Sequence, residues 1–227
     1  MKRFVLLIVC LTLAAGSAWA GVNGTTNPTL FNDSVNWCQY GCSGSQFATP
    51  QTFVSNLGNT GSVGLVGTLQ GFYNLQQGTS WNGDFNPGMG LIYNGSAFGN
   101  TPASIATTFD AGVFGAGAYI QANYWGAFTA SIELFDSSYQ SLGIYTTGGI
   151  ASNTPGTALF IGAFDMSGMA DVYAAQFTAY GIGPNEPDFS IGDARLSTVP
   201  EPSSLLLLGT SALGLVGYVR RRFKGVL

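Results

Sequence analysis

Histidine is absent from this 227-residue chain. Without it no Ser-His-Asp triad, Cys-His pair or histidine metal site can be assembled. Basic residues are nearly confined to the two ends. Lys2 and Arg3 open the chain, and Arg220, Arg221, Arg222 and Lys224 lie near its close. Between residues 21 and 199 only Arg195 is basic, against ten carboxylates, a net charge of −9. A phosphate backbone is recognised by Lys and Arg, so nucleic acid is excluded as a partner. The lack of lysine in the same region removes Schiff-base chemistry. Between the two ends no segment keeps a helical period beyond a turn or two.

The first twenty residues have the order of a secretory signal: a charged start at Lys2 and Arg3, an apolar stretch from Phe4 to Ala15, and the small-x-small site Ala18-Trp19-Ala20. Cleavage is expected between Ala20 and Gly21. An uncleaved N-terminal anchor would need a longer apolar run. Cys10 sits inside the apolar stretch after Val9, which argues against lipid attachment. The remaining cysteines, Cys38 and Cys42, are spaced C-x3-C. Export to an oxidising compartment favours a disulfide between them, a local clip worth about 2 kcal/mol by loop entropy. A thioredoxin-like redox pair would be spaced C-x-x-C, and a zinc site would lack further soft ligands.

Removing both ends leaves about 180 residues, enough for one domain with its own core. Its pattern is period two with turn residues between runs. Strands are expected over Ser62–Leu69, Gly90–Tyr93, Ser104–Phe109, Gly115–Asn123, Gly126–Asp136, Ser141–Thr147, Ala158–Asp165, Val172–Tyr180 and Asp188–Ser197. Gly126–Asp136 is the clearest, with Phe128, Ala130, Ile132 and Leu134 on one face. Asp136-Ser137-Ser138, Gly148-Gly149 and Ser152–Gly156 read as connectors, and 166–170 as a hairpin loop between solvent-facing Asp165 and Asp171. So many short strands in one domain predict an all-β fold: a single antiparallel two-sheet sandwich, jelly-roll-like, over residues 21–198.

Two clusters are candidate sites. Glu186, Asp188 and Asp193 supply oxygen ligands for a structural Ca²⁺, joined by Asp33 if the terminal strands pair. The competing reading is a solvated loop followed by an edge strand, and no EF-hand spacing is present. Trp81 and Trp125, with Tyr73, Tyr93 and Tyr124, could form a platform for stacking on sugar rings. Their alternative role is core filling, since a sandwich core of this size needs large side chains. A glycosidase needs two carboxylates flanking a bond. Glu133 and Glu186 are the only glutamates between residues 21 and 199, and nothing in the sequence brings them together. The chain is therefore expected not to be an enzyme and to need no cofactor beyond the candidate calcium.

The tail, residues 199–227, has three parts in fixed order. Pro200-Glu201-Pro202 comes first. An uncharged run over 203–219 follows, about 25 Å long as a helix and near the lower limit for spanning a bilayer. A basic end over 220–224 closes it. Arg220, Arg221 and Arg222 orient that end to the cytoplasm and place the preceding domain outside. Pro200 and Pro202 stop a helix from running back into the domain.

This arrangement resembles the PEP-CTERM proteins, bacterial exports with a Pro-Glu-Pro motif, a membrane helix and an Arg-rich end. The resemblance implies recognition by an exosortase-type membrane protease and cleavage near Pro200–Pro202. The plain alternative is an ordinary single-pass anchor. G-A-Y-I-Q-A-N-Y-W-G-A-F-T-A-S-I-E-L-F-D and D-F-S-I-G-D-A-R-L, within 109–196, also look like the β-sandwich ectodomain found among PEP-CTERM proteins, which brings no catalytic residues with it. The expected function is an exported cell-surface or extracellular-matrix protein with a structural or adhesive role. The alternative is a carbohydrate-binding, lectin-like module for extracellular polysaccharide.

Overall fold

Alternation in the sequence becomes alternation in burial. In the strand Gly126–Phe135, Phe128, Ala130, Ile132 and Leu134 are buried while Ala127 and Thr129 face solvent. Strand periodicity puts every second side chain on one face, and burying that face drives the pairing of two sheets. The computed structural model describes residues 21–67, 71–95, 103–181 and 188–198. The expected signal segment 1–20, with Ala20, and the tail 199–227, with Pro200–Pro202, the 203–219 span and Arg220–Arg222, lie outside the described residues, as does Glu186.

Fourteen strands form among the described residues: β1 Val22–Thr25, β2 Asp33–Val35, β3 Gln46–Phe47, β4 Gln51–Val54, β5 Thr60–Leu65, β6 Phe72–Gln76, β7 Gly90–Tyr93, β8 Ile105–Val113, β9 Gly115–Ala122, β10 Gly126–Phe135, β11 Ser141–Ala151, β12 Leu159–Asp165, β13 Val172–Gly181 and β14 Phe189–Ser197. The helical content among these residues is two 3-10 turns, Pro28–Leu30 and Trp37–Tyr40. The larger sheet runs β1-β12-β9-β14-β7-β6-β3, with β2 also paired to β14; the smaller runs β11-β10-β13-β8-β5-β4. The ladders are antiparallel, and the protein is an all-β two-sheet sandwich.

Ile120, Ile132, Ile161, Phe177 and Ile191 are fully buried between the sheets. Each removes an apolar side chain from water, worth about 1.5–3 kcal/mol. Two smaller clusters cover the outer face of the larger sheet. One is built on Leu75, Trp81, Phe85 and Leu91, the other on Phe31, Phe160 and Phe164.

Three local features depart from the sequence pattern. Gly148 and Gly149 read as a connector but lie inside β11, opposite Thr129 and Phe128. The missing side chain of Gly149 is what lets the strand continue, because a Cβ there would sit 2.7 Å from the Phe128 ring and 2.9 Å from Leu159. The turn before β11 does fall at the expected connector Asp136-Ser137-Ser138, where Asp136 Oδ1 accepts from the backbone N–H of Ser138 and Gln140, both at 2.8 Å. Residues 166–170 do not close a hairpin: β12 belongs to the larger sheet and β13 to the smaller, so this loop crosses between them. Asp165, at its start, is buried rather than solvent-facing.

Cys38 and Cys42 form a disulfide, with Cα atoms 4.8 Å apart. It closes the 3-10 turn at Trp37–Tyr40, which lies against β7: a Cβ at Gly90 would come within 2.5 Å of Cys38 N. Trp37, fully buried, donates its indole N–H to Gly192 O at 2.8 Å. That carbonyl lies where the β14–β9 register slips, between Ile191 and Ala194. The indole thus satisfies a buried acceptor at the break in the ladder.

Candidate functional site

An open cleft of about 590 Å³ lies on the outer face of the larger sheet. That volume falls within the range of small-molecule sites, about 300–1,000 Å³. β6 contributes Tyr73 and Leu75, and β7 contributes Tyr93. The loop after β6 contributes Ser80, Trp81 and Asn82. The end of β9 and the turn to β10 supply Gln121, Ala122, Asn123, Tyr124 and Trp125. All five aromatic residues named from the sequence as a sugar platform or core therefore meet here, and among the described residues no charged one lines the cleft.

Strand alternation accounts for the convergence. On β6, Tyr73 and Leu75 point outward while Phe72 joins the central core. On β9, Ala118, Ile120 and Ala122 fill the core, which turns Tyr119 and Gln121 outward. The connection between β6 and β7 then folds back over this face. Asp84, 1% exposed, secures it: its Oδ2 accepts from Ser152 N at 3.1 Å, and its backbone carbonyl accepts from Thr157 N and Ala158 N at 2.8 and 2.9 Å. Burial raises the Asp84 carboxyl pKa, with the Ser152 backbone hydrogen bond opposing the shift.

The aromatic residues differ in freedom. Trp81 is only 9% exposed and donates its indole N–H to Gln121 Oε1 at 3.1 Å. Its ring lies 5.2 Å from Tyr93 and 6.5 Å from Phe85. Trp81 is at once a wall of the cleft and part of the outer core. Trp125 is 61% exposed at the β9–β10 turn. Beside it, Tyr124 donates its hydroxyl to Ala127 O at 2.8 Å, which fixes the turn. Tyr73 and Tyr93 are 6.2 Å apart, centroid to centroid.

A polar network stands behind this surface. Gln121, 1% exposed, accepts from both Trp81 and the Asp84 backbone N–H, and donates to Ser152 O at 2.9 Å. Tyr93 donates to Asp188 Oδ2 and accepts from Asn123 Nδ2, both at 2.9 Å. Burial, and next the Asp188 charge, raise the Tyr93 hydroxyl pKa, so it stays protonated. Sequence reasoning missed Gln121 and Asn123. The available signal was two amides at the outward positions of a strand whose inward positions are Ala118, Ile120 and Ala122.

The candidate calcium ligands have separate surroundings. Asp188 is engaged by Tyr93 at the start of β14. Asp193 lies on the bulge of β14, its carboxyl raised to about 6 by burial, with Arg195 pulling the other way. The terminal strands do pair, with Leu196 opposite Asp33. The Asp33 carboxylate, however, is taken by Ser34 N, Ser55 Oγ, Leu57 N and Asn59 Nδ2 at 2.5–3.0 Å. Among the described residues no three His, Cys, Asp or Glu side chains converge to hold a metal ion.

Residues 198–222 match the PEP-CTERM protein-sorting motif. No curated protein sequence matches the chain. Among solved structures the chain is similar to a DUF4465 family protein from Bacteroides caccae, at 10% identity and a TM-score of 0.40, covering 74% of this chain and 97% of that one. It is also similar to CsCBM6-3 from Clostridium stercorarium, solved with cellobiose, at 18% identity and TM-score 0.30 over 55% and 92% of the two chains. A third is the C-terminal family 22 carbohydrate binding module of Clostridium thermocellum Xyn10B, at 12% identity and TM-score 0.22 over 78% and 100%. Among the described residues no helix is long and apolar enough to cross a membrane.

Proposed function

We propose that this chain is an exported, surface-sorted adhesive protein whose sandwich binds carbohydrate in the aromatic cleft. The observation that carries the binding claim is the meeting of five aromatic side chains in one open, uncharged cleft backed by amides. Flat apolar faces suit the C–H faces of sugar rings, and convergent polar groups set orientation. Trp125 is the exposed stacking surface, and Trp81 is the rigid wall. Among the described residues no carboxylate lines the cleft, so this reading is of binding rather than turnover. An uncharged site on a domain of net charge −9 also favours neutral over acidic polysaccharides.

The sorting half of the proposal rests on the PEP-CTERM match at 198–222. In this reading the signal peptide is removed before Gly21, the 203–219 helix holds the chain in the membrane, and an exosortase-type protease cuts near Pro200–Pro202. The cleft then faces the extracellular polymer layer.

Retention of the host-matured protein on immobilised neutral polysaccharides tests the binding claim, with polyuronates as the charged comparison. Retention on a neutral glucan, galactan or xylan is the expected result. Failure to bind any of them, or equal binding to polyuronates, would contradict it.

A further inference from the structure

Four of the five edge strands among the described residues are short. β1 and β4 have four residues, β2 three and β3 two. The fifth, β11, has eleven, and its pairing partner among the described residues is β10, on one side. Native proteins blunt long edges with charge, proline or bulges. β11 contains no proline and no charge, and the uncharged stretch extends from Ser137 to Phe164. The register shift with β10 sits at its first residues, between Leu134 and Phe135, which leaves Gly143–Ala151 regular. Ile144 and Ile150 stand out on its outer face, 58% and 72% exposed. Beside its C-terminal half lies an open groove of about 610 Å³, with Phe128, Ile150 and Leu159 in its walls.

From this edge we infer that two copies of the chain pair antiparallel through β11, about a two-fold axis at Thr147. The register is self-complementary. With Thr147 opposite its own copy, Ile144 lies opposite Ile150 of the second copy and Ile150 opposite its Ile144. Both pairs fall on the outer face, where the two isoleucines are exposed, and directly opposed apolar pairs stabilise an antiparallel ladder. The pairing joins two six-stranded sheets into one and consumes both long edges, so the assembly closes at two copies. Length sets this edge apart from the others, and charge does not oppose its self-pairing. Each copy has a net charge of −9 over residues 21–199, and β11 lies in a long stretch free of it. The pairing is independent of the cleft.

The test uses the full chain in detergent, with Cys10→Ser as background, followed by sedimentation and oxidative cross-linking. Wild type is expected to sediment as a dimer. Thr147→Cys is expected to form a covalent dimer on mild oxidation, since directly opposed residues lie within disulfide reach. Ser141→Cys, whose counterpart across the axis is Asn153, is expected not to cross-link. Ile150→Lys is expected to give monomers, and Ile144→Lys combined with Ile150→Glu, which opposes unlike charges, is expected to restore the dimer. Both isoleucines are exposed, so neither change disturbs the fold. A monomeric wild type, a dimer indifferent to Ile150→Lys, or equal cross-linking from Ser141→Cys and Thr147→Cys would overturn the inference.

Discussion

Trp81 and Trp125 share a cleft, but their burial gives them different work. Trp81 has a hydrogen-bonded indole and two aromatic neighbours, so Trp81→Ala should cost about 3 kcal/mol or more of stability. Trp125→Ala removes an exposed ring and should leave stability within about 0.5 kcal/mol of wild type. Urea midpoints of the two variants check both expectations. Asp193 gives a pH-dependent case. Its folded-state pKa of about 6 lies above the unfolded value of about 3.9, so the folded state holds the proton more tightly. Its contribution to stability is therefore complete below about pH 4 and is lost as pH rises through 6. Asp193→Asn should flatten that slope and raise stability at pH 7 by about 1–2 kcal/mol, measurable as melting curves between pH 4 and 8.

At the scale of elements, the site depends on how closely the β6–β7 connection lies on β9. Gly83 is the contact point: a Cβ there would stand 2.1 Å from Gln121 Oε1 and 2.4 Å from Trp81 Nε1. Gly83→Ala should therefore break the Trp81–Gln121 bond, cost about 1–3 kcal/mol and weaken binding in the cleft. Thermal melts together with a binding titration would show both effects; an unchanged melt would contradict this contact. Long strands such as β9, β10 and β13 were legible because their alternation persists over several periods. β7 has the expected bounds, Gly90–Tyr93. β1 to β4 and β6 were not legible, because two to five residues rich in Gly, Asn, Ser and Gln hold too little alternation to stand out. Gly149 carried a turn signal in sequence yet serves close packing against Phe128, a distinction only the partner strand makes. The aromatic residues were legible as a set with two roles left open. Their meeting required β6, β7 and β9 to share a sheet, which no local pattern encodes.

At the scale of the whole molecule, charge and function divide along the chain. All the cations but Arg195 gather at the two ends, and the acidic sandwich between them presents an aromatic cleft that no charged side chain lines among the described residues. The sorting reading expects the host's mature product to begin at Gly21 and end near Pro200–Pro202, as read by intact mass. A membrane-bound product retaining Leu227 would contradict processing while leaving the cleft untouched. The binding claim is tested most directly by calorimetric titration of the host-matured protein and its Trp125→Ala variant with whichever neutral oligosaccharide the polysaccharide screen identifies. The account expects the variant to keep wild-type stability and to lose about 10- to 100-fold in affinity, equivalent to about 1.4–2.8 kcal/mol. Equal affinity in the two proteins would contradict it and remove the cleft as the site of sugar binding.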